Sequence, residues 1–482
     1  MNIHKLKISS FLSAIVQFIL VLNGTALFAQ IAGKTDAVYS GLSWYDQNGQ
    51  VVTAHGANVI KDNGKYYLFG ETHSDTSNAF AGFNCYSSED LYNWKFESQA
   101  LPVQKSGKLG PNRVGERVKV LKNPNNGEYY LYMHVDTLGY KDQFVGYATA
   151  DRITGPYTFK GPLLFQGKPI KKWDMGVFQD IDGTGYILTH GGEIHKLDND
   201  YSSVVAQISK PFTAGFESPT LFRKGNTYFF IGSHLTSWEK NDNYYYTSGS
   251  LEGPWIEQGL IAPEGELTWN SQSTYVLPIQ GTKDTTFIFM GDRWSFPKQH
   301  SAATYVWQPL TITGDKLAMP VFLERWNIDL PTGIVSQKRI TGQLIENTNP
   351  KIKYIGNWQH NMNMATATLS RSDDRNASFS ISFTGTQIGL YTCSLPDNGY
   401  AYIKILDKKG CILLKSTIDM YAKVPADNLV FLSPLMPEAK YTLTVSVTGE
   451  RPAWSDKRKS NYGSTANTIT LDRLIIKSNH NL

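Results

Sequence analysis

One plan recurs five times in the first three hundred residues, and it restricts the fold more than any other feature of the chain. Each copy has an apolar segment, a polar turn and a second segment rich in aromatic residues. Turn signals such as Asp62-Asn63-Gly64 join the two segments, so each copy predicts a β-hairpin. The copies are AHGANVIKDNGKYYLFGE from Ala54, GERVKVLKNPNNGEYYLYMH from Gly115, WDMGVFQDIDGTGYILTH from Trp173, FESPTLFRKGNTYFFIGSH from Phe216 and SQSTYVLPIQGTKDTTFIFMGDRW from Ser271.

Third strands follow the hairpin in several copies and end in a turn with an aromatic residue. They are FNCYSSEDLYNW from Phe83, FVGYATADRITGPY from Phe144 and YYYTSGSLEGPW from Tyr244. Antiparallel units that recur every ~40–60 residues are typical of β-propeller blades. The sequence therefore predicts an all-β protein whose residues 36–335 form a five-bladed β-propeller.

The repeated plan stops after ERWNIDLPTG, which ends at Gly333. From about Ile345 the chain contains short strands with alternating apolar and polar residues, namely ASFSISF from Ala377, YAYIKILD from Tyr400, YTLTVSVTG from Tyr441 and TITLDRLII from Thr468. Strict alternation indicates sheets with one face in a core. Residues 345–482 are therefore predicted to form a β-sandwich of the jelly-roll type.

The amino terminus has the layout of a secretory signal peptide. Lys5 and Lys7 precede an apolar stretch from about Phe11 to Leu22, and small residues end at Ala29. We predict that residues 1–29 are removed and that the protein is secreted or periplasmic. An uncleaved membrane anchor is the alternative, although the apolar stretch is short for a membrane span.

The net charge of +4 is close to neutral, and two of the positive charges lie in the leader. Such a balance gives no electrostatic footprint for nucleic acid or an anionic membrane. We expect a monomer, although the charge does not bear on this. The basic cluster SDKRKS from Ser455 predicts a solvated loop.

Cysteine usage allows one disulfide at most. The three cysteines are Cys85, Cys393 and Cys411, and either Cys393 pairs with Cys411 or all three are buried free thiols. No CxxC or histidine spacing indicates a zinc site. No organic cofactor is implied, and a structural calcium ion in the sandwich is an open expectation.

Polar side chains stand at the start of the first strand in every copy. They are His55, Glu116, Asp174, Glu217 and Gln272. In a propeller the first strands run along the central channel, so these five side chains are expected to meet in one funnel. A structural role at a strand entrance would explain any one of them, but five together favour a site.

A funnel with several carboxylates suits glycoside hydrolysis, which needs a protonated acid and a second group that activates water. We assign Glu217 as the acid, since Phe216 and Pro219 give it a dry, rigid setting. Asp174 is placed to tune the proton affinity of Glu217. Glu116 and Glu71 are expected to hold sugar hydroxyls.

Aromatic residues near the strand ends suit sugar binding. Trp238, Trp294 and Trp44 could each stack on a pyranose ring, although the better interpretation of any one of them alone is a core residue. Asp292 and Arg293, side by side ahead of Trp294, are expected to form an ion pair that orients a site wall, or a structural pair between blades.

These motifs, in this order and spacing over about Trp44 to Trp326, resemble glycoside hydrolase family 43. The resemblance implies a five-bladed propeller, a general acid at Glu217, an aspartate at Asp174 that tunes its pKa, and inversion at the anomeric carbon. Most of the family begins blade one with a catalytic aspartate, whereas this chain has Ala54-His55-Gly56. The start is similar to the exo-β-1,3-galactanase branch, which lacks that aspartate. By this resemblance, Gln272 of this chain would position the water, and His55, Glu71 and Glu116 would line the substrate site.

The resemblance implies a secreted, exo-acting enzyme that releases galactose from β-1,3-galactan, with a polysaccharide or oligosaccharide as its partner. The alternatives are an α-L-arabinofuranosidase, a β-D-galactofuranosidase, or an inactive sugar-binding protein that has lost its aspartate. In an active enzyme Glu116 is the competing base.

The C-terminal segment resembles galactose-binding-like jelly rolls through FTGTQIGLY and YTLTVSVTG. It is either a carbohydrate-binding module or a spacer that buttresses the propeller. Trp358 and Trp454 are candidate stacking platforms or core residues.

Overall fold

The computed structural model describes residues 33–363 and 368–479 of the 482-residue chain. Nearly all regular structure is β-strand, which confirms the predicted all-β class. The predicted signal peptide, residues 1–29, lies outside the described residues. Within the described ranges no helix is both long and apolar enough to cross a lipid bilayer. The helical segments there are three short ones: Gly107–Leu109, Leu267–Asn270 and Gln299–Ala302.

The first part of the chain contains strands β1 to β26. Their bounds are β1 Val38–Tyr39, β2 His55–Asp62, β3 Lys65–Glu71, β4 Phe83–Ser88, β5 Lys95–Leu101, β6 Arg113–Lys122, β7 Tyr129–Thr137, β8 Phe144–Ala150, β9 Thr158–Pro162, β10 Leu164–Phe165, β11 Lys168–Pro169, β12 Met175–Gln179, β13 Gly185–Thr189, β14 Glu193–Leu197, β15 Ser203–Gln207, β16 Phe216–Lys224, β17 Thr227–His234, β18 Tyr244–Ser248, β19 Ile256–Leu260, β20 Gln272–Gln280, β21 Thr285–Arg293, β22 Thr304–Pro309, β23 Thr311–Thr313, β24 Lys316–Ala318, β25 Arg325–Asp329 and β26 Ile334–Gln337.

Five of the sheets follow one another along the chain. Sheet 1 is β2–β5, sheet 2 is β6–β9, sheet 3 is β12–β15 with β10 and β11 at its far edge, sheet 4 is β16–β19, and sheet 5 is β20–β22. Neighbouring strands are antiparallel except for β10 and β15. The predicted turn between β2 and β3 has left-handed backbone at Asn63 and Gly64, as a tight hairpin turn requires. β1, β25 and β26 form a separate sheet, and β23 pairs with β24.

Five apolar clusters hold these sheets together, and each cluster is shared by neighbouring sheets. Phe69 of sheet 1 packs in one cluster with Leu131 of sheet 2, and further clusters join sheets 2 and 3, 3 and 4, and 4 and 5. The remaining cluster joins sheet 5 to sheet 1 and contains Val59, Leu277 and Trp307. Sheets 1 and 5 therefore pack on each other as successive sheets do.

The first strands also touch directly. Side chains bridge each of them to the next, and the fifth to the first: Asn58 donates to the Val120 carbonyl, Arg117 pairs with Asp174, Ser218 donates to Asp174, Ser273 donates to the Ser218 carbonyl, and Thr274 donates to the Ala57 carbonyl. Their amino-terminal ends therefore lie close together, which brings the candidate site residues within reach of one another.

The second part of the chain contains the remaining strands. Their bounds are β27 Gln343–Glu346, β28 Lys353–Ile355, β29 Gln359–Asn363, β30 Thr368–Ser372, β31 Ser378–Gly385, β32 Gln387–Ser394, β33 Tyr400–Asp407, β34 Ile412–Asp419, β35 Ala426–Leu432, β36 Ala439–Val447, β37 Ala453–Ser455, β38 Asn461–Gly463, β39 Ile469–Leu471 and β40 Arg473–Lys477.

Two sheets of this part share one core. The order is β28-β31-β36-β33-β34 in one sheet and β27-β40-β32-β35 in the other. Phe379 and Ile403 of the first sheet pack in one cluster with Leu390 and Leu474 of the second. β29, β30 and β39 form a small third sheet, and β37 and β38 form a separate hairpin. The three cysteines are free thiols, so the alternative Cys393–Cys411 disulfide is absent here. Cys85 and Cys393 are buried, but the prediction that Cys411 is buried is wrong, because its side chain is exposed.

Hydrogen bonds connect the two parts of the chain. Ser295 Oγ donates to Asp419 Oδ2 at 2.8 Å, Tyr400 donates to the Ser295 carbonyl at 3.0 Å, and Tyr421 donates to Glu239 Oε2 at 2.7 Å. Burial raises the pKa of Asp419. Because buried polar groups need hydrogen-bond partners, these bonds fix a specific contact between the two parts of the chain.

Candidate active site

The first strands of sheets 1, 2, 4 and 5 share an irregularity near their starts. The pairing register slips within His55–Asn58, Glu116–Lys119, Glu217–Thr220 and Ser273–Tyr275. A bulge adds one residue to a strand and re-aims the neighbouring side chains. In three cases the residue after the candidate site residue has a left-handed backbone: Gly56 (φ 58°), Arg117 (φ 55°) and Ser218 (φ 56°).

Arg117 lies between three of the candidate residues, and sequence reasoning did not assign it to the site. Its Nε is 3.3 Å from Asp174 Oδ1, and its Nη2 donates to Gln272 Oε1 at 2.6 Å. The guanidinium also lies 5.3 Å from the centre of the Trp294 ring. Burial alone would lower the pKa of Arg117, but Asp174 and Glu71 raise it, so it is a fixed cation. The sequence feature that could have indicated a site role for Arg117 is its position directly after Glu116 at the start of the strand.

Gln272 has every hydrogen-bonding position of its amide occupied. Oε1 accepts from Arg117 and from Trp294 Nε1 at 2.8 Å, and Nε2 donates to Ser233 Oγ at 2.8 Å and to Glu217 Oε1 at 3.1 Å. The two donors on Oε1 fix the orientation of the amide. Gln272 therefore presents an N–H to the candidate acid.

Glu217 has the electrostatics of a proton donor. Burial, followed by the negative charge of Asp174, raises its pKa well above the ordinary value. Because Oε1 accepts the Gln272 N–H, the proton of the neutral carboxyl belongs on Oε2. The side chain keeps partial solvent exposure, so the acidic proton can reach a ligand.

Asp174 is held in the opposite protonation state. Its Oδ2 accepts the backbone N–H of Ser218 at 2.9 Å and the Ser218 hydroxyl at 3.2 Å. Burial alone would raise the pKa of Asp174, but Arg117, His134 and these hydrogen bonds lower it. Two neighbouring carboxyls with pKa values displaced in opposite directions are typical of an acid and its modulator.

Glu116 binds two residues that sequence reasoning did not single out. Its Oε1 accepts the Tyr140 hydroxyl at 2.7 Å, and its Oε2 is 3.2 Å from His134 Nδ1. His134 is the cross-strand partner of Glu116, and its Nε2 lies 3.5 Å from Asp136 Oδ2. Burial would lower the pKa of His134, but Asp136 and Glu116 raise it to about 9. The imidazole is therefore a cation at neutral pH.

Glu71 lies deeper, on the second strand of sheet 1. Its Oε1 accepts the Arg117 backbone N–H at 3.4 Å, and its Oε2 is 3.5 Å from His73 Nε2. Burial and then the charge of Glu116 raise the pKa of Glu71 well above the ordinary value. Burial lowers the pKa of His73 to about 3, so this histidine is neutral. Glu71 therefore holds its proton more tightly than an ordinary glutamate does.

His55 is fixed by Asp292, and the expected ion pair between Asp292 and Arg293 is wrong. Asp292 accepts His55 Nδ1 at 3.1 Å and the Gly56 N–H at 3.0 Å. Arg293 instead donates to the carbonyls of Asn270 and Trp269. Successive strand residues point to opposite faces of a sheet, which separates the two side chains. Asp292 therefore faces the site, whereas Arg293 anchors the neighbouring turn.

An aromatic wall stands beside the carboxyls. Trp294 is buried and binds Gln272, and Trp238 lies edge-on to it with ring centres 5.2 Å apart. Phe296 is parallel to Trp238 at 5.9 Å. Trp44 stacks on Tyr305 in the core between sheets 1 and 5, so it is a core residue and not part of this wall.

Metal-binding geometry is absent from the described part of the chain. Among residues 33–363 and 368–479, no three His, Cys, Asp or Glu side chains are grouped to hold an ion.

Replacing Gly56 with alanine is expected to disturb the site more than the fold. A Cβ at Gly56 would lie 2.2 Å from Glu71 Oε1, and the left-handed φ of 58° disfavours alanine. We expect a loss of about 2–4 kcal/mol in the free energy of unfolding together with a fall in activity. Urea unfolding and kcat/KM measure the two effects.

Gly64→Ala is the matched control. Gly64 has a similar left-handed φ of 80°, but nothing lies within 4 Å of its added Cβ. It should cost only about 1–2 kcal/mol and leave activity intact. Equal activity in the two variants would contradict the proposed packing of Gly56 on Glu71.

Comparison with known proteins identifies the family. The sequence pattern of "Glycosyl hydrolases family 43" matches residues 51–288, which include every candidate catalytic residue. A solved structure assigned to the exo-β-1,3-galactanases, from Bifidobacterium bifidum s17, is 35% identical, with a TM-score of 0.55. The alignment covers 58% of this chain and 95% of that one. The chain belongs to glycoside hydrolase family 43. The predicted family, its galactanase branch and the glycosidase class are thereby confirmed.

Other relatives are named for different substrates. The exo-β-1,3-galactanase of Phanerochaete chrysosporium, solved with galactose, is 26% identical, with a TM-score of 0.68 over 92% of this chain and 100% of its own. The arabinoxylan arabinofuranohydrolase of Bacillus subtilis (strain 168) is 27% identical over 239 residues, which are 40% of this chain. The chain spans 45% of the length of that relative. Family 43 membership alone therefore leaves the substrate open.

Proposed function

We propose that this family 43 chain is a secreted, exo-acting enzyme that releases galactose from β-1,3-galactan with inversion. The observation that carries the proposal is the pair formed by Glu217, with its raised pKa, and Asp174, with its lowered pKa. A protonated carboxyl next to an ionised one is what acid-assisted cleavage of a glycosidic bond requires.

In the proposed reaction Glu217 Oε2 donates its proton to the glycosidic oxygen as the bond from that oxygen to the anomeric carbon breaks. A water molecule attacks the opposite face of the anomeric carbon, and its proton passes to a second protein group. Inversion requires that group to stand about 6.5–9.5 Å from the acid. No cofactor takes part.

Two residues compete for the role of activating the water. Gln272 is the residue that the family branch suggests, but its Nε2 lies 3.1 Å from Glu217 Oε1, well inside the separation that inversion requires, and its amide must release Glu217 or Ser233 before it can hold a water molecule. Glu116 has a carboxylate, which can accept a proton from water, and it contacts Tyr140 and the His134 cation. Glu71, His55 and Trp238 are proposed to bind the sugar.

Similarity to galactanases supports galactan as the substrate. The two galactanase relatives above cover the longer stretches of this chain, and a variant of the P. chrysosporium enzyme was solved with β-1,3-galactotriose. The second candidate is α-L-arabinofuranosidase activity, which the B. subtilis relative and an exo-α-(1→5)-L-arabinofuranosidase from Cellvibrio japonicus (strain Ueda107), 21% identical over 43% of this chain, favour.

We further infer that sheets 1 to 5 are the blades of a five-bladed propeller and that the second part is a β-sandwich. The shared clusters between neighbouring sheets, including sheets 5 and 1, support the first inference. The core common to the two larger C-terminal sheets supports the second. The leader over residues 1–29 is the basis for proposing secretion.

An inactive sugar-binding protein would not need this arrangement. Binding alone calls for no carboxyl whose pKa is raised by an ionised neighbour, yet Glu217 and Asp174 form such a pair. The absence of a blade-one aspartate, where His55 stands, is the observation that keeps this alternative open.

Product analysis tests the proposed function. The purified protein is incubated with side-chain-trimmed β-1,3-galactan and, separately, with arabinan, and the released sugars are identified by chromatography. We expect galactose as the sole early product from galactan. Release of arabinose alone would replace galactanase with the second candidate, and no release from either polymer would favour the sugar-binding alternative.

A further inference from the structure

A hairpin from the second part of the chain reaches the candidate site. It consists of β37, β38 and the turn between them, and we call residues 453–463 the C-terminal hairpin. Lys457 Nζ donates to the Tyr140 carbonyl at 3.2 Å and lies 4.8 Å from the centre of the Tyr140 ring. The SDKRKS cluster is therefore not only the solvated loop that the sequence predicted.

The opposite side of the C-terminal hairpin makes a second contact. Trp454 Nε1 donates to Ser237 Oγ at 3.2 Å, and its ring lies 6.1 Å from Phe296. Tyr462 stacks on Trp454 at 5.7 Å and supports the indole from within the hairpin. Tyr140 follows sheet 2's β7, and Ser237 follows sheet 4's β17, so the hairpin bridges two sheets that are not neighbours.

Both contacts fall on residues with strained backbone. Tyr140 has φ 51° and Ser237 has φ 57°, in the left-handed region that side chains other than glycine rarely adopt. Such conformations cost energy and persist only where surrounding contacts impose them. Lys457 holds the carbonyl of the first residue, and Trp454 holds the hydroxyl of the second.

Both strained residues position site groups. The Tyr140 hydroxyl donates to Glu116 Oε1, and Ser237 precedes Trp238, which packs on Trp294 beside Gln272. A change in either loop would displace a group that faces the sugar. The C-terminal hairpin thus acts on two sides of the same site.

We propose that Lys457 and Trp454 are positioning residues of the active site: the C-terminal hairpin locks two strained loops so that Tyr140 and Trp238 face the substrate. The second part of the chain is then a component of the catalytic site rather than an appended module. The effect on turnover rests on the proposed function, whereas the locking of the loops does not.

Lys457→Met tests the first contact, and Lys459→Met is its matched control. Lys459 lies in the same turn and is exposed, and its side chain makes no hydrogen bond or ion pair with the described residues. Hydrogen–deuterium exchange of residues 137–143 is expected to accelerate about tenfold in Lys457→Met and to stay unchanged in Lys459→Met. Equal exchange in both variants would overturn the proposal, whatever the substrate proves to be.

Kinetics test the link to the site on whichever glycoside the wild type hydrolyses. We expect Lys457→Met to raise KM about three- to tenfold with a smaller effect on kcat, and Lys457→Arg to restore it, since arginine also offers a cation and a donor. In a Tyr140→Phe background, Lys457→Met should add little. Additive effects of the two substitutions would show that Lys457 does not act through Tyr140.

Trp454→Phe tests the second contact without deleting the aromatic ring. It replaces the indole with a smaller phenyl ring and so removes the N–H that Ser237 accepts, together with part of the aromatic surface. Trp358→Phe is the control, because it makes the same change where the indole N–H is donated to the Ile355 carbonyl within the second part of the chain. Faster exchange of residues 235–241 in Trp454→Phe alone is the expected result. Unchanged exchange in that variant would confine the role of the hairpin to Tyr140.

Discussion

Glu217→Gln is expected to lower kcat on an unactivated oligosaccharide by about 10²–10⁴-fold, the range that general acid catalysis contributes. Glutamine preserves the shape of the side chain and can still face the Gln272 amide, but it has no proton to donate to the leaving oxygen. KM should change little, because the neutral carboxyl and the amide are similar in size and charge. Initial rates over a range of substrate concentrations separate the two parameters.

The leaving group distinguishes an acid from a mere binding residue. A dinitrophenyl glycoside needs almost no protonation as it departs, so Glu217→Gln should hydrolyse it at close to the wild-type rate. Glu252→Gln, the same substitution at an exposed position in the turn between β18 and β19, should leave the rates on both substrates unchanged. Equal losses on both substrates in Glu217→Gln would remove the acid role from this residue.

The strands and their order could be predicted from the sequence because the turn residues mark where each strand ends and the next begins. Asn63-Gly64 can adopt the left-handed conformations that a tight hairpin needs, and the aromatic segments that follow have one obvious partner. The apolar stretches between such turns leave little choice of element. The assignment of β-structure therefore depended on local chemistry, which a sequence displays directly.

The bulges could not be predicted, and they decide the geometry of the site. A bulge inserts one unpaired residue, so strict alternation predicts the wrong face for everything beyond it. The sequence did not mark Arg117 or Lys119 as buried, yet both are, and the Arg117 guanidinium lies 3.3 Å from Asp174. The wrong prediction of an Asp292–Arg293 ion pair has a different cause. Successive residues of a strand point to opposite faces, so strand geometry would have separated these two side chains even though they are adjacent in the chain.

Contacts between distant segments were equally out of reach. The bond from Lys457 to Tyr140 joins residues 317 positions apart, and nothing local to either residue indicates it. His134 is an intermediate case, because the hairpin turn places it across from Glu116 once the slip in register is known. What sequence reasoning missed at this site is thus mainly the second layer that holds the predicted residues.

Asp174→Asn is expected to move the alkaline limb of the pH–activity profile to lower pH. An acid catalyst works while protonated, so activity falls as the pH rises through the pKa of Glu217. The negative charge of Asp174 helps to raise that pKa. Asparagine removes the charge, which lets Glu217 ionise at lower pH and lowers kcat/KM at neutral pH by about ten- to a hundredfold.

The same substitution leaves Arg117 without its carboxylate partner and should cost about 3 kcal/mol in the free energy of unfolding at neutral pH. Because the folded-state pKa of Asp174 is lowered, its stabilising contribution is present above its unfolded pKa and disappears as the pH falls through the folded value. The gap in stability between wild type and Asp174→Asn should therefore narrow in acid.

Asp180→Asn separates these two effects. Asp180 follows the other end of β12 and pairs with Arg223 at 3.0 Å, far along the strand from Glu217. Its replacement also breaks an ion pair, so some loss of stability is expected, but the alkaline limb should stay in place. If the alkaline limb of the pH–activity profile also stayed in place in Asp174→Asn while the stability of that variant fell, Asp174 would support the fold without tuning the pKa of Glu217. A shift in Asp174→Asn alone would instead tie the proton affinity of the acid to one neighbouring charge.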